Sequence, residues 1–541
     1  MSMLAYLFRH SWRAMVAVTI GAIIAGLAST ALVAVIGRAL VGQRDTGLLG
    51  LIFVGACILY IVAKSLSEVG LLKVTQKTVL RLRLLLSRNL LATAQRDLQR
   101  IGRDELMLIM TRDVDTFSFA FQTIPRGLSN IVIVVAGIAY IAWLSWIFSV
   151  IMVVAMVLCV GGYMIAEQTP LKYLAQAREQ AKPLQQCIRD VIDGSRELQV
   201  NAQRRDLFLN KVLYEEARKY FALFTRGMTL YTWYGNVGNV LFYSGLGVLL
   251  FVVPLFMTTE AVIVTQVALV MLYIVKPLGE LIVLLPTARQ AEISFRRIQQ
   301  LSSRLGSRPA ELLAPDPFGG ASPRVEFRGV SHHYDAEGEG GFTLGPLSFT
   351  LEPGEILFVV GGNGSGKTTL AMLLLGLLEA DSGDILLNGV PLTEGNVDNY
   401  RQRFSVIFSD AHLFEHLPVV AADSVKEAGE RHLRGLKLPP HVTLASGRFS
   451  TLNLSAGQRK RLALVSSYLE DRPICVFDEW AADQDPEFKR IFYTQILPEL
   501  KARGKTVVII THDDAYFHRA DRILALQDGH LRDTVPQLAA E

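Results

Sequence analysis

The sequence is short of charge. Asp, Glu, Lys and Arg make up 19% of its 541 residues, against about 25% in an ordinary soluble chain. Cysteine is nearly absent: Cys57, Cys159, Cys187 and Cys475 lie far apart. That scatter excludes a disulfide framework or a zinc site and leaves each as a small apolar residue. Strong charge of one sign is also missing. The formal net charge of +4 is too mild to argue for nucleic acid as a partner. No internal repeat occurs. Apolar residues are what is abundant: 51% of the chain is hydrophobic before its 43 glycines are counted, and the mean hydropathy is +0.33. These values exclude a disordered or collagen-like chain and a wholly soluble enzyme of usual composition. They describe a membrane portion diluted by a soluble one.

The apolar material lies almost entirely before residue 300. Six segments there are long enough to cross a bilayer, which takes about 20 residues: 14–37, 47–68, 128–147, 148–166, 229–256 and 261–285. The first is expected to stay in the protein, because it is too long for a signal peptide, lacks an A-x-A site and precedes five more spans. The third and fourth are separated only around Ser145-Trp146, which predicts a tight hairpin with tryptophan at the membrane–water interface. Basic residues set the orientation. Lys73, Lys77, Arg81, Arg83, Arg88, Arg96, Arg100, Arg103 and Arg112 crowd one long connection, and Lys172, Arg178, Lys182, Arg189, Arg204, Arg205, Lys211, Arg218 and Lys219 the other. The opposite connections carry little beyond Arg38, Arg44 and Glu260. The positive-inside rule therefore predicts that both long loops and both termini are cytoplasmic. Leu80, Leu84 and Leu91 in the first loop, and Leu184, Ile188 and Val191 in the second, recur at helical spacing. Each loop reads as two long helices continuing the spans. The tips are expected at Gly194-Ser195 and around Arg112 to Ser118. Residues 1–300 thus form an all-α membrane domain of six helices, 301–323 a Ser/Pro/Gly-rich linker, and 324–541 a soluble α/β domain.

The soluble part carries the chemistry. An apolar strand, Ile356 to Val360, runs into Gly361-Gly362-Asn363-Gly364-Ser365-Gly366-Lys367-Thr368, and a helix follows from Thr369. This is G-x-x-x-x-G-K-T in the strand–loop–helix setting that a P-loop NTPase requires. Gly361, Asn363, Gly364, Ser365, Gly366 and Thr369 are candidates for wrapping the phosphates of ATP, since backbone N–H groups at a helix start bind anions. Lys367 is placed to reach the β- and γ-phosphates, and Thr368 to ligate Mg²⁺. A second strand, Pro473 to Phe477, ends in Asp478-Glu479. Asp478 is a candidate to hold Mg²⁺ through water, and Glu479 to polarise the attacking water as a general base.

Between these two lies Leu454-Ser455-Ala456-Gly457-Gln458, followed by Arg459-Lys460-Arg461 at a helix start. It is similar to the LSGGQ signature, with Ala at the third place. With the P-loop and the Asp-Glu strand end, it identifies the chain as a member of the ATP-binding-cassette family. Six spans before one cassette is the half-exporter layout, so the resemblance covers the whole chain. The resemblance implies that Ser455, Gly457 and Gln458 of one subunit contact the γ-phosphate held by the P-loop of a second copy, and hence a homodimer. It implies that Tyr334 stacks on adenine, with a strand-packing tyrosine as the competing reading of that residue alone. His332 and His333 beside it read as ordinary strand-end residues. Ala482-Asp483-Gln484-Asp485 falls at the D-loop, and His512 at the switch that contacts the γ-phosphate. It also implies that the two loop tips dock on the cassette.

One departure stands out. Where the family pattern is V-x-Q-x-x-x-L-F, this chain has Val406-Ile407-Phe408-Ser409-Asp410-Ala411-His412-Leu413-Phe414. Ser409 takes the place of the Mg²⁺-ligating Gln, with a shorter reach and with Asp410 beside it. The segment between P-loop and signature is also short, which predicts a trimmed helical subdomain. The Phe404–Phe414 loop and the Thr511–Phe517 switch resemble those of bacterial cyclic-peptide exporters, a group serving peptide siderophores of the pyoverdine type, syringomycin-type lipopeptides and lasso-peptide microcins. That resemblance implies ATP-driven export of a peptide-type substrate across the bacterial inner membrane by alternating access. The alternatives are a lipid flippase, a multidrug exporter and a non-transporting ATP-gated membrane regulator. Intact Glu479 and His512 argue against a dead ATPase. Polar residues inside spans are candidates for the cargo path: Gln122, Arg126 and Asn130 on one face; Tyr231, Trp233, Tyr234, Asn236, Asn239 and Tyr243 in the fifth span; Lys276 and Glu280, four apart, in the sixth. Bonding between helices and anchoring at the interface are the competing reading of each, and for Lys276 and Glu280 pairing with each other.

Overall fold

The computed structural model describes residues 3–40, 46–256, 261–306, 316–320, 322–334, 341–410, 412–417 and 423–532. Arg44, Glu260, Ala411 and parts of the 301–323 linker fall outside the described residues, as do the side chains of Cys159 and Asn239. The chain divides into two compact units. One comprises Met1–Ser87 and Asp104–Arg304; the other comprises Arg88–Arg103 and Leu305–Glu541.

The regular elements described in the first unit are all helical, and six helices there are long and apolar enough to cross a membrane: Trp12–Leu40, Gly47–Ala92, Arg103–Leu144, Trp146–Asp193, Ala202–Val252 and Val262–Arg304. The last five run 42 residues or more, about twice what a bilayer requires, so the long connections are helical extensions of the spans, as their leucine spacing predicts. The third and fourth helices meet at Ser145, whose extended backbone (φ −161°, ψ 119°) ends the third. Trp143 and Trp146 flank that corner and are exposed, as suits interfacial anchors.

The second loop turns at Gly194, between helices Gln168–Asp193 and Ser195–Val200. The first does not turn where expected. Arg112 lies in a wide helical turn, Ile109–Asp113, that leads without a break into Val114–Leu144. Helix ends occur instead after Ala92 and at Gly102, on either side of the short helix Gln95–Ile101. The reason is packing. Asp113 is buried and accepts a hydrogen bond from Ser294 Oγ at 2.8 Å. Phe117 stacks on Phe295 with ring centroids 5.4 Å apart. Charged letters at 112, 113 and 115 suggested a solvated tip, but one face of this stretch is core.

The second unit is α/β. Its main sheet has β3 (Ile356–Gly361), β6 (Phe404–Ile407), β9 (Ile474–Asp478), β10 (Thr506–Ile510), β11 (Arg522–Gln527) and β12 (His530–Arg532), in the order β12-β11-β3-β10-β9-β6. All neighbours are parallel except β12 on β11. Strands buried on both faces read as unbroken apolar runs, and Ile474–Asp478 and Thr506–Ile510 are buried throughout. An antiparallel sheet joins β1 (Val325–Tyr334), β2 (Phe342–Leu351), β4 (Ser382–Leu387) and β5 (Val390–Pro391) in the order β2-β1-β4-β5. Between the P-loop helix and the signature, the described residues hold the short helix Val397–Arg401, the helix Asp423–Gly435 and a two-residue hairpin, β7 (Leu444–Ala445) with β8 (Arg448–Phe449). Cys187 and Cys475 are buried and free. Burial pushes the Cys475 thiol up to about 11, so it behaves as an apolar group.

Candidate functional site

Parallel sheets place their chemistry beyond the carboxyl ends of the strands, and the register here brings four such ends together. Ile510 lies beside Val359 on one side and Asp478 on the other. Ile407 lies beside Phe477. The residues that follow are therefore neighbours: the P-loop after β3, Asp478-Glu479 at the end of β9, His512 after β10, and Ser409 after β6.

The P-loop closes on the helix Lys367–Leu374 through Gly366, whose φ of 101° is open to glycine and strained for other residues. A Cβ there would stand 2.7 Å from Leu344 Cδ1. Lys367 is 7% exposed, and its amine donates to the Gly361 and Gly362 carbonyls at 2.9 Å each. Burial lowers its pKa, opposed by the charges of Glu479 and Asp478. Ser365 is also buried, and its Oγ has no hydrogen-bond partner among the described residues. Thr368 and Asn363 are exposed.

Asp478 is 4% exposed. Burial raises its pKa first, and the Glu479 charge adds to that. The backbone N–H and hydroxyl of Ser409 both donate to it and pull the other way. Ser409 thus reaches the strand-end carboxylate despite being shorter than Gln. A buried carboxylate, a serine hydroxyl and an exposed threonine form an all-oxygen set of the kind a hard divalent cation such as Mg²⁺ accepts.

Glu479 has left-handed backbone, φ 47° and ψ 35°, which a non-glycine residue adopts only when its surroundings hold it there. Its N–H donates to the Ile510 carbonyl at 3.0 Å. Its carboxylate lies 3.2 Å from His512 Nε2. Both side chains are partly open to solvent, so a water can reach them. A strand-end carboxylate, a histidine within hydrogen-bond reach and a lysine at the foot of a glycine-rich loop are the kinds of group that hydrolysis of a bound nucleotide uses.

The signature residues form a second cluster. Ser455 starts the helix Ala456–Glu470, where its Oγ accepts from the Gln458 N–H at 3.3 Å while Gln458 Oε1 accepts from the Ser455 N–H at 3.1 Å. This reciprocal pair is a capping box. Gln458, expected to contact nucleotide, is therefore also the residue that shapes the helix start. Ser455 and Ala456 are exposed. Gly457 is needed because the D-loop approaches it: a Cβ would lie 2.8 Å from the Asp483 carbonyl oxygen. Gln484 Nε2 donates to the Gly457 carbonyl at 3.1 Å, and Arg461 Nε to Gln484 Oε1 at 2.9 Å. Sequence reasoning did not single out Lys460, Arg461 or Trp480; the basic run 459–461 was the available signal.

Tyr334 ends β1, half-buried and edge-on to His332, with centroids 4.9 Å apart. His332 is buried and shares a 3.0 Å hydrogen bond with the Glu379 carbonyl, in keeping with a structural role. Thr369 continues the P-loop helix, partly buried. In the membrane unit, Arg126 pairs with Glu68 at 3.3 Å, and Asn130 donates to Glu280 at 2.8 Å. These are bonds between helices, the competing reading of those polar positions. Trp233, Asn236 and Tyr243 are exposed.

A P-loop domain that follows six helices long enough to cross a bilayer has the layout of an ATP-driven membrane transporter. Residues 344–482 match the family model for the ABC transporter. The chain is 33% identical over 533 residues to "ATP-binding protein SyrD" of Pseudomonas syringae pv. syringae, covering 96% of this chain and 94% of that protein. It is 34% identical over 226 residues to the ATP-dependent lipid A-core flippase of Burkholderia pseudomallei (strain 1710b), covering 40% and 37%. Among solved structures, a bacterial Atm1-family ABC exporter with ATP bound superposes with a TM-score of 0.72 at 20% identity, covering 98% of this chain and 95% of that one. The chain belongs to the ABC transporter family: it is an ATP-driven exporter in which ATP hydrolysis is coupled to transport.

Proposed function

We propose that two copies of this chain export a peptide-type substrate, such as a peptide siderophore or its precursor, a cyclic lipopeptide or a microcin, across the bacterial inner membrane. Residues 1–300 translocate and 324–541 drive, with both termini in the cytoplasm. The observation that carries the substrate class is the extent of the match. SyrD aligns over nearly the whole chain, membrane helices included, whereas the lipid A-core flippases align over about two-fifths of it. The cyclic-peptide-exporter character of Phe404–Phe414 and Thr511–Phe517 points the same way. Cargo is chosen by the membrane unit, so a match over about two-fifths of the chain says less about it than one over nearly all of it.

In this reading ATP lies on the P-loop, with Tyr334 against adenine and Lys367 across the phosphates. Thr368, Ser409 and Asp478 would hold Mg²⁺, whose charge would draw off the negative charge that develops on the phosphates. Glu479 takes a proton from the attacking water, and His512 steadies that carboxylate and meets the γ-phosphate. Ser455, Gly457 and Gln458 of the partner subunit complete the site, so hydrolysis requires the closed dimer. Closing and reopening alternate the membrane cavity between its two sides. The test is a comparison of cytoplasmic and exported metabolites in cells carrying the wild-type chain or Glu479→Gln. A peptide that is exported by the first and retained by the second is the expected result. Unchanged peptides with a lipid redistributed between leaflets would replace this reading with the flippase.

A further inference from the structure

Lys460 is buried inside the cassette, its side chain 7% exposed. Its amine donates to the main-chain carbonyl of Glu479 at 2.8 Å and pairs with Asp483 Oδ2 at 2.8 Å. The helix carrying it is tied back to the same segment: Trp480 Nε1 donates to the Lys460 carbonyl at 2.9 Å. Trp480 is itself fully buried, stacked on Phe492 with centroids 4.3 Å apart. Burying an ammonium is expensive unless its hydrogen bonds are well made, and an apolar residue of similar volume would fill the space at less cost. A lysine kept here has a directional task.

That task is legible from what it grips. Glu479 sits in a left-handed conformation between an extended strand and a short helical turn. One side of its backbone is held by the 3.0 Å bond to the Ile510 carbonyl. The other side, its own carbonyl, is held by Lys460. Together they fix the rotation of the residue and so the direction in which its carboxylate leaves the chain, toward His512. We propose that Lys460 is a positioning residue for Glu479, acting through the main chain, and that it ties the aim of this carboxylate to the helix that begins at Ser455. This rests on the reading of Glu479 as the hydrolytic base.

The experiment uses the full-length protein in nanodiscs, with ATP as the probe. Lys460→Met keeps the volume and removes the donor, while Lys460→Gln restores a neutral donor. Steady-state ATPase and binding of a fluorescent ATP analogue are measured beside Glu479→Gln. Lys460→Met is expected to lower kcat on the order of 100-fold, the scale of a misaimed catalytic group. KM and analogue affinity should stay within about twofold of wild type, because uniform binding is untouched. Lys460→Gln should recover much of kcat. If Lys460→Met folds poorly, Asp483→Ala, which loosens the same amine from outside, should lower kcat with KM unchanged.

Several results would overturn the inference. Wild-type kcat in Lys460→Met, with Glu479→Gln inactive, removes the positioning role and leaves the base reading standing. A parallel fall of kcat, affinity and thermal stability in both Lys460 variants makes the residue structural. An active Glu479→Gln removes the base reading itself.

Discussion

Polar side chains meet opposite fates in the two units. Among the membrane helices several are spent on one another. Arg126 faces Glu68, Asn130 donates to Glu280, and Ser29 pairs with Tyr273. At the strand ends of the cassette they converge without being consumed: Ser365 Oγ has no partner among the described residues, Lys367 rests on backbone carbonyls, and Glu479 and His512 keep open faces. Hydrocarbon offers an unpaired polar group nothing, so helices that carry one find it a partner. A site that must take up a triphosphate and release its products has to hold groups whose best partner is the ligand. The comparison warns against reading every polar residue in a span as part of the cargo path.

The largest test of the comparison lies at Glu479. Its replacement by Gln should keep ATP binding and cut turnover on the order of 1,000-fold, the loss expected for a general base. Steady-state ATPase and nucleotide binding check it; ordinary turnover would show that the open carboxylate is not the base.

A second test asks whether the exposed signature serves another subunit. Ala456→Arg is the cleaner block, because Ser455 also caps its own helix, and losing that cap costs about 1 kcal/mol by itself. Chains carrying Lys367→Ala and chains carrying Ala456→Arg should each be inactive. Mixed, they form dimers with one doubly damaged site and one intact site, and random pairing restores about a quarter of the intact sites in a two-fold dimer. Recovery of ATPase on mixing is the expected result, and its absence would put both halves of the site in one chain.

Ser409 supplies a smaller effect with a pH signature. Because burial raises the folded-state pKa of Asp478, its penalty is absent below the ordinary carboxylate range and is imposed as pH rises through the folded value. The two hydrogen bonds from Ser409 lower that value. Ser409→Ala removes the hydroxyl bond, so it should destabilise the nucleotide-free protein at neutral pH. The loss should fade as the pH falls and Asp478 protonates. Thermal unfolding across pH checks the sign, and a pH-independent loss would detach Ser409 from Asp478.

The smallest effect belongs to the membrane pairs. Asn130→Ala leaves Glu280 without its donor and should cost about 1 kcal/mol of stability, the scale of one interhelical hydrogen bond, with ATPase per folded molecule unchanged. Unfolding midpoints in detergent measure it. A selective loss of transport at full stability would return Asn130 to the cargo path.

Much was determined by the sequence alone, and for one physical reason: those features are local. A P-loop is eight consecutive residues whose glycines permit one backbone path, and a span is a run of apolar residues longer than the bilayer is thick. Buried strands announce themselves by unbroken apolar stretches, and Asp478-Glu479 by standing at the end of one. Tertiary structure decided what depends on residues far apart in the chain. The turns of the first long loop lie after Ala92 and at Gly102 because Ser294 and Phe295 pack on one face of the Arg112–Ser118 stretch, and no window around residue 112 contains them. Gln458 caps its own helix, and Gly457 is small because the Asp483 carbonyl approaches it. In the sequence Lys460 is one of three consecutive basic residues at a helix start. Only the fold brings its amine to the carbonyl of Glu479, since a side chain's neighbours across a sheet or helix are set by packing and leave no trace in its own stretch of sequence.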